Sequence, residues 1–286
     1  MNTFRDDEEA RRTFWKTRMD EAFAFMVEIE RYPLAECGEA LASLPEAAAK
    51  AGVRVLFSEL PHVKGLPRLF YLRQGLIDGF IGAAAEMNRL GWVLKVEDGY
   101  RSRFMQKHNA LRPEVFPLVL ARTRWELGGS EPSIDLLRRR LAALIAMNPR
   151  VGTHCIGSAI DISVLSLDGT TEIDRGAGYL ELSELTPMDS PFVSAKAKAN
   201  REKITALMAS HGFSTYAFEF WHYNAGDAYS EFLSGRGKPA RYGPVDFDPG
   251  SGSMTPIADA TTPLNSEAEI AAMIDDALRP NQTSGG

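Results

Sequence analysis

The stretch from Gly152 to Val164 constrains the fold of this chain more than any other part of the sequence. Between positions 159 and 164 branched apolar residues alternate with small or polar ones, which predicts a β-strand. Asp161 lies on the face opposite the apolar side chains, and an ionised group removed from water needs a charged partner or a metal ion. His154, just upstream of this strand, therefore suggests a metal site.

Composition and charge limit the classes of protein to which this chain could belong. The chain has 286 residues, of which 44% are hydrophobic, so we expect one large domain with extensions. The net charge of -6 and the scattered basic residues argue against a nucleic-acid partner. A charged N-terminal segment and the lack of a long apolar stretch predict no secretory signal, no membrane association and a cytoplasmic location. Cys37 and Cys155 are too few for a disulfide framework or a cysteine zinc site.

Hydrophobic periodicity and turn residues predict the secondary structure. Helices are expected over about Asp6–Arg31, Tyr71–Leu90, Ile134 to near Asn148, Asn200–His211, and after a capping box at Ser266–Glu269. Strands are expected at Val53–Phe57, Trp92–Val96, Ala159–Val164 and the aromatic run Tyr216–Tyr223. A turn at 168–170 predicts a hairpin with a further strand near Tyr179–Leu182.

Four residues could form a catalytic metal site. Such a zinc site has about three protein ligands, which His154, Asp161 and His222 could supply. Glu219 lies three residues before His222 and could take a proton from water. In a regular strand these last two side chains would point to opposite faces, so a bulge or turn at Phe220–Trp221, or a helix, is required.

Arg101 is the candidate electrostatic residue, because a fixed guanidinium stabilises the negative charge that develops on an attacked carbonyl. Each candidate also has a structural interpretation. Asp161 could cap a turn, Arg101 could lie at the surface over an aromatic ring, and Glu219 could be an edge charge that discourages strand pairing. Spacing alone leaves both interpretations open.

Three blocks occur in a characteristic order, namely Asp98–Ser102, His154–Asp161 and Glu219–His222. They resemble the zinc D-alanyl-D-alanine dipeptidases and carboxypeptidases, a family that includes the vancomycin-resistance dipeptidase. The similarity extends to Tyr71–Arg73, Pro187–Phe192 and Asn200–Arg201, and it covers about residues 70–223.

The resemblance implies an α+β fold with a central antiparallel sheet flanked by helices, as in the hedgehog signalling domain and the related DD-peptidases. It implies one zinc ion per chain, held by His154, Asp161 and His222. Glu219 would be the general base and later the acid, and Arg101 would stabilise the oxyanion. Two histidines and a carboxylate also accept cobalt or manganese.

The resemblance also divides the chain. We expect a single zinc peptidase domain over 1–250, with the family-like core at 70–223 and an N-terminal helical extension over 1–65. A C-terminal tail over 251–286 carries the predicted short helix. No oligomeric state is indicated.

The implied substrate is a small D-amino-acid peptide from cell-wall metabolism, with D-Ala-D-Ala favoured by the expected cytoplasmic location. Two alternatives stay open: a D,D-carboxypeptidase or endopeptidase on longer muropeptides, and a non-catalytic hedgehog-like zinc-binding domain. The dipeptidases commonly have an Asp after the Phe that corresponds to Phe192, where this chain has Val193. Asp189 could compensate for that residue, and the insert over 104–150 could line the cleft.

Overall fold

The computed structural model describes residues 3–112 and 115–278. The strands are β1 (Leu41–Ser43), β2 (Val55–Phe57), β3 (Tyr71–Arg73), β4 (Trp92–Asp98), β5 (Ala159–Ser166), β6 (Ser214–Thr215), β7 (His222–Asn224), β8 (Val245–Asp248) and β9 (Ser253–Pro256). The helices are α1 (Thr3–Arg31), α2 (Leu44–Ala51), α3 (Ile77–Arg89), α4 (Arg103–Asn109), α5 (Val115–Glu126), α6 (Ile134–Ile145), α7 (Thr153–Ile156), α8 (Ala195–Ser210), α9 (Ala228–Ser234) and α10 (Glu267–Leu278).

A five-stranded sheet in the order β2-β4-β5-β7-β6 forms the centre of the fold. The pairings β4–β5, β5–β7 and β7–β6 are antiparallel, whereas β2 pairs with β4 in parallel. With helices packed around this sheet, the predicted α+β class is confirmed. The sheet is mixed because the chain between β2 and β4 crosses over through β3 and helix α3, so these two strands run in the same direction.

Strand β5 has the alternation that the sequence predicts. Ile160, Ile162 and Val164 are fully buried in the main core, where they pack with apolar residues of α3 and α8. Asp161 lies on the other face and is also buried. This second face carries the polar site, so β5 joins the hydrophobic core to the site.

Two further apolar clusters lie among the helices. In one, Trp15, Met19 and Met26 of α1 pack with Tyr216 and Tyr229. The other contains apolar residues of α5 and α6 together with Ile270 of α10. Helix α1, as predicted for this region, is therefore a packing helix with an apolar face.

The C-terminal helix starts as predicted. Glu269 receives a backbone hydrogen bond from Ser266 at 2.7 Å, and the Ser266 hydroxyl accepts one from the Glu269 backbone at 3.1 Å. None of the described helices combines the length and apolarity that crossing a membrane requires.

Two secondary-structure predictions are wrong in part. The helix predicted from Tyr71 begins only at Ile77, because Tyr71–Arg73 forms strand β3 and pairs with β1. The strand predicted near Tyr179–Leu182 is absent from the described residues, where that segment is irregular and Leu180 has a φ of 64°. Only an isolated bridge between Leu165 and Glu172 follows the predicted turn.

Candidate active site

Strand register and a short helix bring the three predicted metal ligands together. Asp161 of β5 lies directly opposite His222 of β7, and α7 carries His154 into the same space. His222 Nδ1 is 3.0 Å from Asp161 Oδ1, and His154 Nε2 is 3.3 Å from the same oxygen. The three possible ligand atoms all lie within 4.8 Å of one another.

Each imidazole has a second partner that fixes its orientation. His154 Nδ1 donates to the Gly99 carbonyl at 2.6 Å, which leaves Nε2 directed at Asp161. His222 Nε2 lies 3.0 Å from the Thr153 hydroxyl, which leaves Nδ1 directed at Asp161. Partners of this kind set the tautomer and ring angle of metal-binding histidines.

The donor set fits a divalent metal ion such as zinc. Burial lowers the pKa of His222, which favours the neutral imidazole that binds metal. Burial opposes ionisation of Asp161, but the facing imidazoles of His154 and His222 outweigh it and hold its pKa well below its usual range. Donors around a tetrahedral zinc ion at its usual bond lengths are roughly 3.3 Å apart. The separations at Asp161 Oδ1 match that value closely.

Gly157 has a backbone role beside the site. It ends α7 with a φ of 71°, a left-handed conformation that glycine adopts without strain. A Cβ atom there would also collide with the Leu41 side chain. The chain can therefore reverse between His154 and strand β5 only because this residue lacks a side chain.

Glu219 reaches the site through a turn. The strand predicted over Tyr216–Tyr223 is wrong: β6 ends at Thr215, and β7 begins at His222. Between them the Glu219 amide donates to the Tyr216 carbonyl, and the His222 amide donates to the Glu219 carbonyl, each at 3.2 Å. This is the turn that the odd spacing required, and both Glu219 and His222 line one cavity.

The environment of Glu219 favours its protonated form and brings its pKa close to neutrality. Burial and the charge of Asp161 raise its pKa to about 8, although Arg101 and a hydrogen bond from the Trp221 side chain oppose that shift. A carboxyl group with a raised pKa can both take and return a proton at neutral pH.

Arg101 follows β4 and extends between two aspartates. Its Nε lies 2.8 Å from Asp98 Oδ2, and its Nη2 lies 3.2 Å from Asp161 Oδ2. Burial opposes the charge, but these carboxylates raise the pKa of Arg101. Nη1 has a long contact of 3.4 Å to the Gln106 side chain, and the residue lines the cavity.

The cavity at this cluster has a volume of about 70 Å³. It contains His154, Asp161, His222, Glu219 and Arg101 in its lining. Met26 of α1 and residues of α4 and α6 form other parts of the wall, so the insert lines the cleft as expected.

Asp189 does not take the place of the missing family aspartate. Its carboxylate pairs with Arg18 of α1 at the surface, outside the residues that line the cavity. Phe192 packs edge-on against Phe14 of the same helix. The segment around Asp189 therefore faces α1.

Four further polar residues contact the predicted site residues, and the sequence did not predict that they belong to the site. They are Asp98, Gln106, Thr153 and Tyr179. Asp98 and Thr153 each lie within three residues of a predicted site residue, a signal that could have drawn attention to them. Tyr179 lies in the segment that was predicted as a strand, and nothing in its local sequence points to the site.

Comparison with known proteins agrees with the motifs. Residues 137–236 match the family described as D-ala-D-ala dipeptidase. The D-alanyl-D-alanine dipeptidase of Enterococcus faecium is 30% identical over 142 residues, which cover 46% of this chain and 62% of that protein. The D-alanyl-D-alanine dipeptidase of Escherichia coli K12 is 34% identical over 77 residues, or 27% of this chain and 39% of that protein. The chain thus spans less than two thirds of these relatives.

A solved structure of the LdcB LD-carboxypeptidase, described as revealing the basis of peptidoglycan recognition, is also similar. It is 17% identical with a TM-score of 0.37, and the match covers 74% of this chain and 81% of that chain. The region matched at 137–236 contains His154, Asp161, Glu219 and His222 in the order of the family motifs. Residues 137–236 of the chain are thus similar to a family of D-alanyl-D-alanine dipeptidases.

Proposed function

We propose that this chain is a zinc-dependent peptidase that hydrolyses a D-Ala-D-Ala-type dipeptide with Glu219 as general base. The observation that carries the proposal is the position of Glu219, whose pKa is raised to about 8, beside a His-Asp-His cluster in one cavity. A purely structural metal site does not need a proton acceptor next to it.

The proposed metal ligands are His154 Nε2, Asp161 Oδ1 and His222 Nδ1. One zinc ion held there would supply Lewis acidity, which polarises a carbonyl and lowers the pKa of a water ligand to roughly 7. The role of the protein is to present two neutral imidazoles and one ionised carboxylate, with Gly99 and Thr153 keeping the ring nitrogens in place.

Glu219 would move the proton. Its carboxylate takes a proton from the attacking water while the water oxygen bonds to the peptide carbon. It then gives that proton to the peptide nitrogen as the carbon–nitrogen bond breaks. The immediate products are a carboxylic acid and an amine, and transfer of the acid proton to the amine leaves a carboxylate and an ammonium group. A raised pKa lets the same carboxyl group accept the proton and then release it. Proton transfer of this kind contributes roughly 100- to 10,000-fold to enzymatic rates.

Arg101 would bind the carbonyl oxygen as negative charge develops on it. Asp98 and Asp161 hold its charge beside the cavity before a substrate binds. Loss of one such donor typically lowers kcat by roughly 100- to 1,000-fold.

The cavity is small. Its volume is about 70 Å³, and Met26 of α1 and residues of α6 form part of its wall, which is consistent with a dipeptide or the end of a longer peptide. One observation favours the second candidate, a carboxypeptidase on longer muropeptides. Among the described cavity residues, Asp161 and Glu219 are the only ones with carboxylates, and both have other proposed roles. A free ammonium group would then lack a dedicated counter-charge, whereas an acylated nitrogen would not need one.

The test combines metal analysis with mass-spectrometric product analysis on D-Ala-D-Ala and on a pentapeptide that ends in D-Ala-D-Ala. We expect one zinc ion per chain and cleavage of the dipeptide. Preferred cleavage of the pentapeptide would replace the dipeptidase proposal with the carboxypeptidase one.

Two variants separate the base from the metal site. Glu219→Gln should keep the zinc and lose hydrolysis by roughly 100-fold or more. Glu202→Gln, an exposed residue on α8, is the control and should behave like wild type. Near-normal turnover by Glu219→Gln would overturn the proposed mechanism, and zinc without turnover of any D-amino-acid peptide would favour the binding-domain alternative.

A further inference from the structure

The two oxygens of Asp161 have different partners. Oδ1 faces the imidazoles of His154 and His222, whereas Oδ2 faces away from them. Oδ2 accepts hydrogen bonds from Arg101 Nη2 at 3.2 Å and from the Tyr179 hydroxyl at 2.9 Å. The carboxylate is therefore held from behind by two donors while its other oxygen points at the histidines.

The segment that carries Tyr179 is held by hydrogen bonds of an upstream residue and by a contact of the Tyr179 ring itself. Upstream, the buried Arg175 donates to the Ile162 carbonyl of β5 at 3.0 Å, and its own carbonyl accepts from Arg201 at 2.7 Å. The Tyr179 ring packs edge-on against Trp221 with centroids 5.7 Å apart.

Leu180, the next residue, has a φ of 64° and lines the cavity. A left-handed conformation is unfavourable for a residue with a β-carbon, so the surrounding contacts must impose it. The turn lets adjacent residues face different directions, with Leu180 at the cavity and the Tyr179 hydroxyl at Asp161.

Arg101 cannot serve Asp161 and a substrate equally well. Its Nη2 bonds to Asp161 Oδ2, and the same guanidinium is the proposed donor to the developing oxyanion. Any shift of the guanidinium towards substrate weakens its hold on Asp161. The phenol of Tyr179 donates at neutral pH and keeps its own bond to Oδ2.

We propose that Tyr179 is a positioning residue for the metal centre, which holds Asp161 with Oδ1 towards the metal independently of Arg101. The assignment rests on the proposed metal site. Tyr179 is not part of the cavity lining and acts only through Asp161. Partners of metal ligands typically change metal affinity or activity by roughly 10- to 100-fold when removed.

The test compares Tyr179→Phe with Tyr223→Phe. Tyr223 is a buried tyrosine, and its hydroxyl, like that of the half-buried Tyr179, has a side-chain partner, Thr205 at 3.0 Å; its ring packs in the main core on the other face of the sheet. Both variants lose one oxygen atom and one hydrogen bond, so both should lower the thermal stability of the metal-free protein by similar amounts.

Zinc affinity, measured by competition with a chelator, distinguishes them. The Kd for zinc should rise roughly 10-fold or more in Tyr179→Phe and should match wild type in Tyr223→Phe. The increase in Tm on addition of zinc should become smaller only in Tyr179→Phe. Equal Kd values for all three proteins would overturn the Tyr179 assignment and leave the proposed function intact. A wild type that binds no zinc would overturn the proposed function itself, and the assignment with it.

Discussion

Replacing Asp98 by asparagine tests the buried charge network behind the site. The Asp98 side chain is 1% exposed, and its Oδ2 lies 2.8 Å from Arg101 Nε, 3.0 Å from Arg68 Nη1 and 3.3 Å from His62 Nε2. Asparagine keeps the size of the side chain and removes its charge. Asp98→Asn therefore leaves two guanidinium groups, 5% and 10% exposed, without the carboxylate that they share.

The expected loss of stability is large. Removing one partner of a buried ion pair typically costs about 3–5 kcal/mol, because the other charge stays buried and uncompensated. Arg101 keeps Asp161 as a second partner, which limits the loss, so we expect about 3 kcal/mol at neutral pH. Arg101 also loses its closest hydrogen bond, and kcat should fall with its orientation.

Urea unfolding at neutral pH measures this loss, with Asp246→Asn as the matched control. Asp246 pairs with Arg103 through two contacts, but both side chains are about half exposed, at 43% and 50%. A surface pair of this kind contributes roughly 0–1 kcal/mol. If Asp98→Asn loses no more free energy of unfolding than Asp246→Asn, the charge network does not stabilise the fold as argued.

The stability contributed by Asp98 should depend on pH. Burial opposes ionisation of Asp98, but Arg101, His62 and Arg68 outweigh it and hold its pKa well below its usual range. A carboxyl group with a depressed folded-state pKa stabilises the protein above its unfolded pKa, roughly 3.9, and loses that contribution as pH falls. The gap between wild type and Asp98→Asn should therefore be constant near neutral pH and narrow below about pH 4.

Two further predictions concern the cavity. In the metal-free protein, the pKa of Glu219 is raised from 4.5 to about 8, so wild type should lose stability relative to Glu219→Gln as pH rises between these values. Thermal melts measure this. A difference in Tm between the two proteins that stays constant across this pH range would contradict the burial of the carboxyl group. Met26→Ala should widen the cavity wall and raise the ratio of kcat/KM for a D-Ala-D-Ala pentapeptide to that for the dipeptide, and an unchanged ratio would show that α1 does not limit substrate size.

Local patterns were enough to predict the parts of the fold that depend on local contacts. The alternation over Ala159–Val164 placed Asp161 on the face opposite the core, and the structure has that arrangement. The predicted helices in α1 and α8 and the capping box of α10 are also present. In each case the signal, a periodicity or a cap, lies within the element itself.

Elements that depend on distant partners were predicted poorly. Leu72 fits a helix or a strand equally well, and only its pairing with Ala42 of β1 makes Tyr71–Arg73 a strand. In the turn around Glu219, Phe220 contacts the guanidinium groups of Arg175 and Arg201, 4.8 and 4.4 Å from its ring centroid. Neither arginine is close to Phe220 in sequence.

The register of β4 and β5 determines how substitutions of Arg101 should be interpreted. Asp98 and Asp161 lie directly opposite each other on these two strands, where like charges repel and burial increases the penalty. The planar guanidinium of Arg101 reaches both carboxylates, at 2.8 and 3.2 Å, which the single ammonium group of a lysine cannot reproduce. Any replacement of Arg101 therefore combines the loss of the proposed oxyanion donor with the loss of the bridge between two buried carboxylates, so the rate it loses overstates transition-state stabilisation. Among the residues that the structure describes, Glu219 forms no ion pair, so its glutamine variant is the cleaner measure of the proposed catalysis.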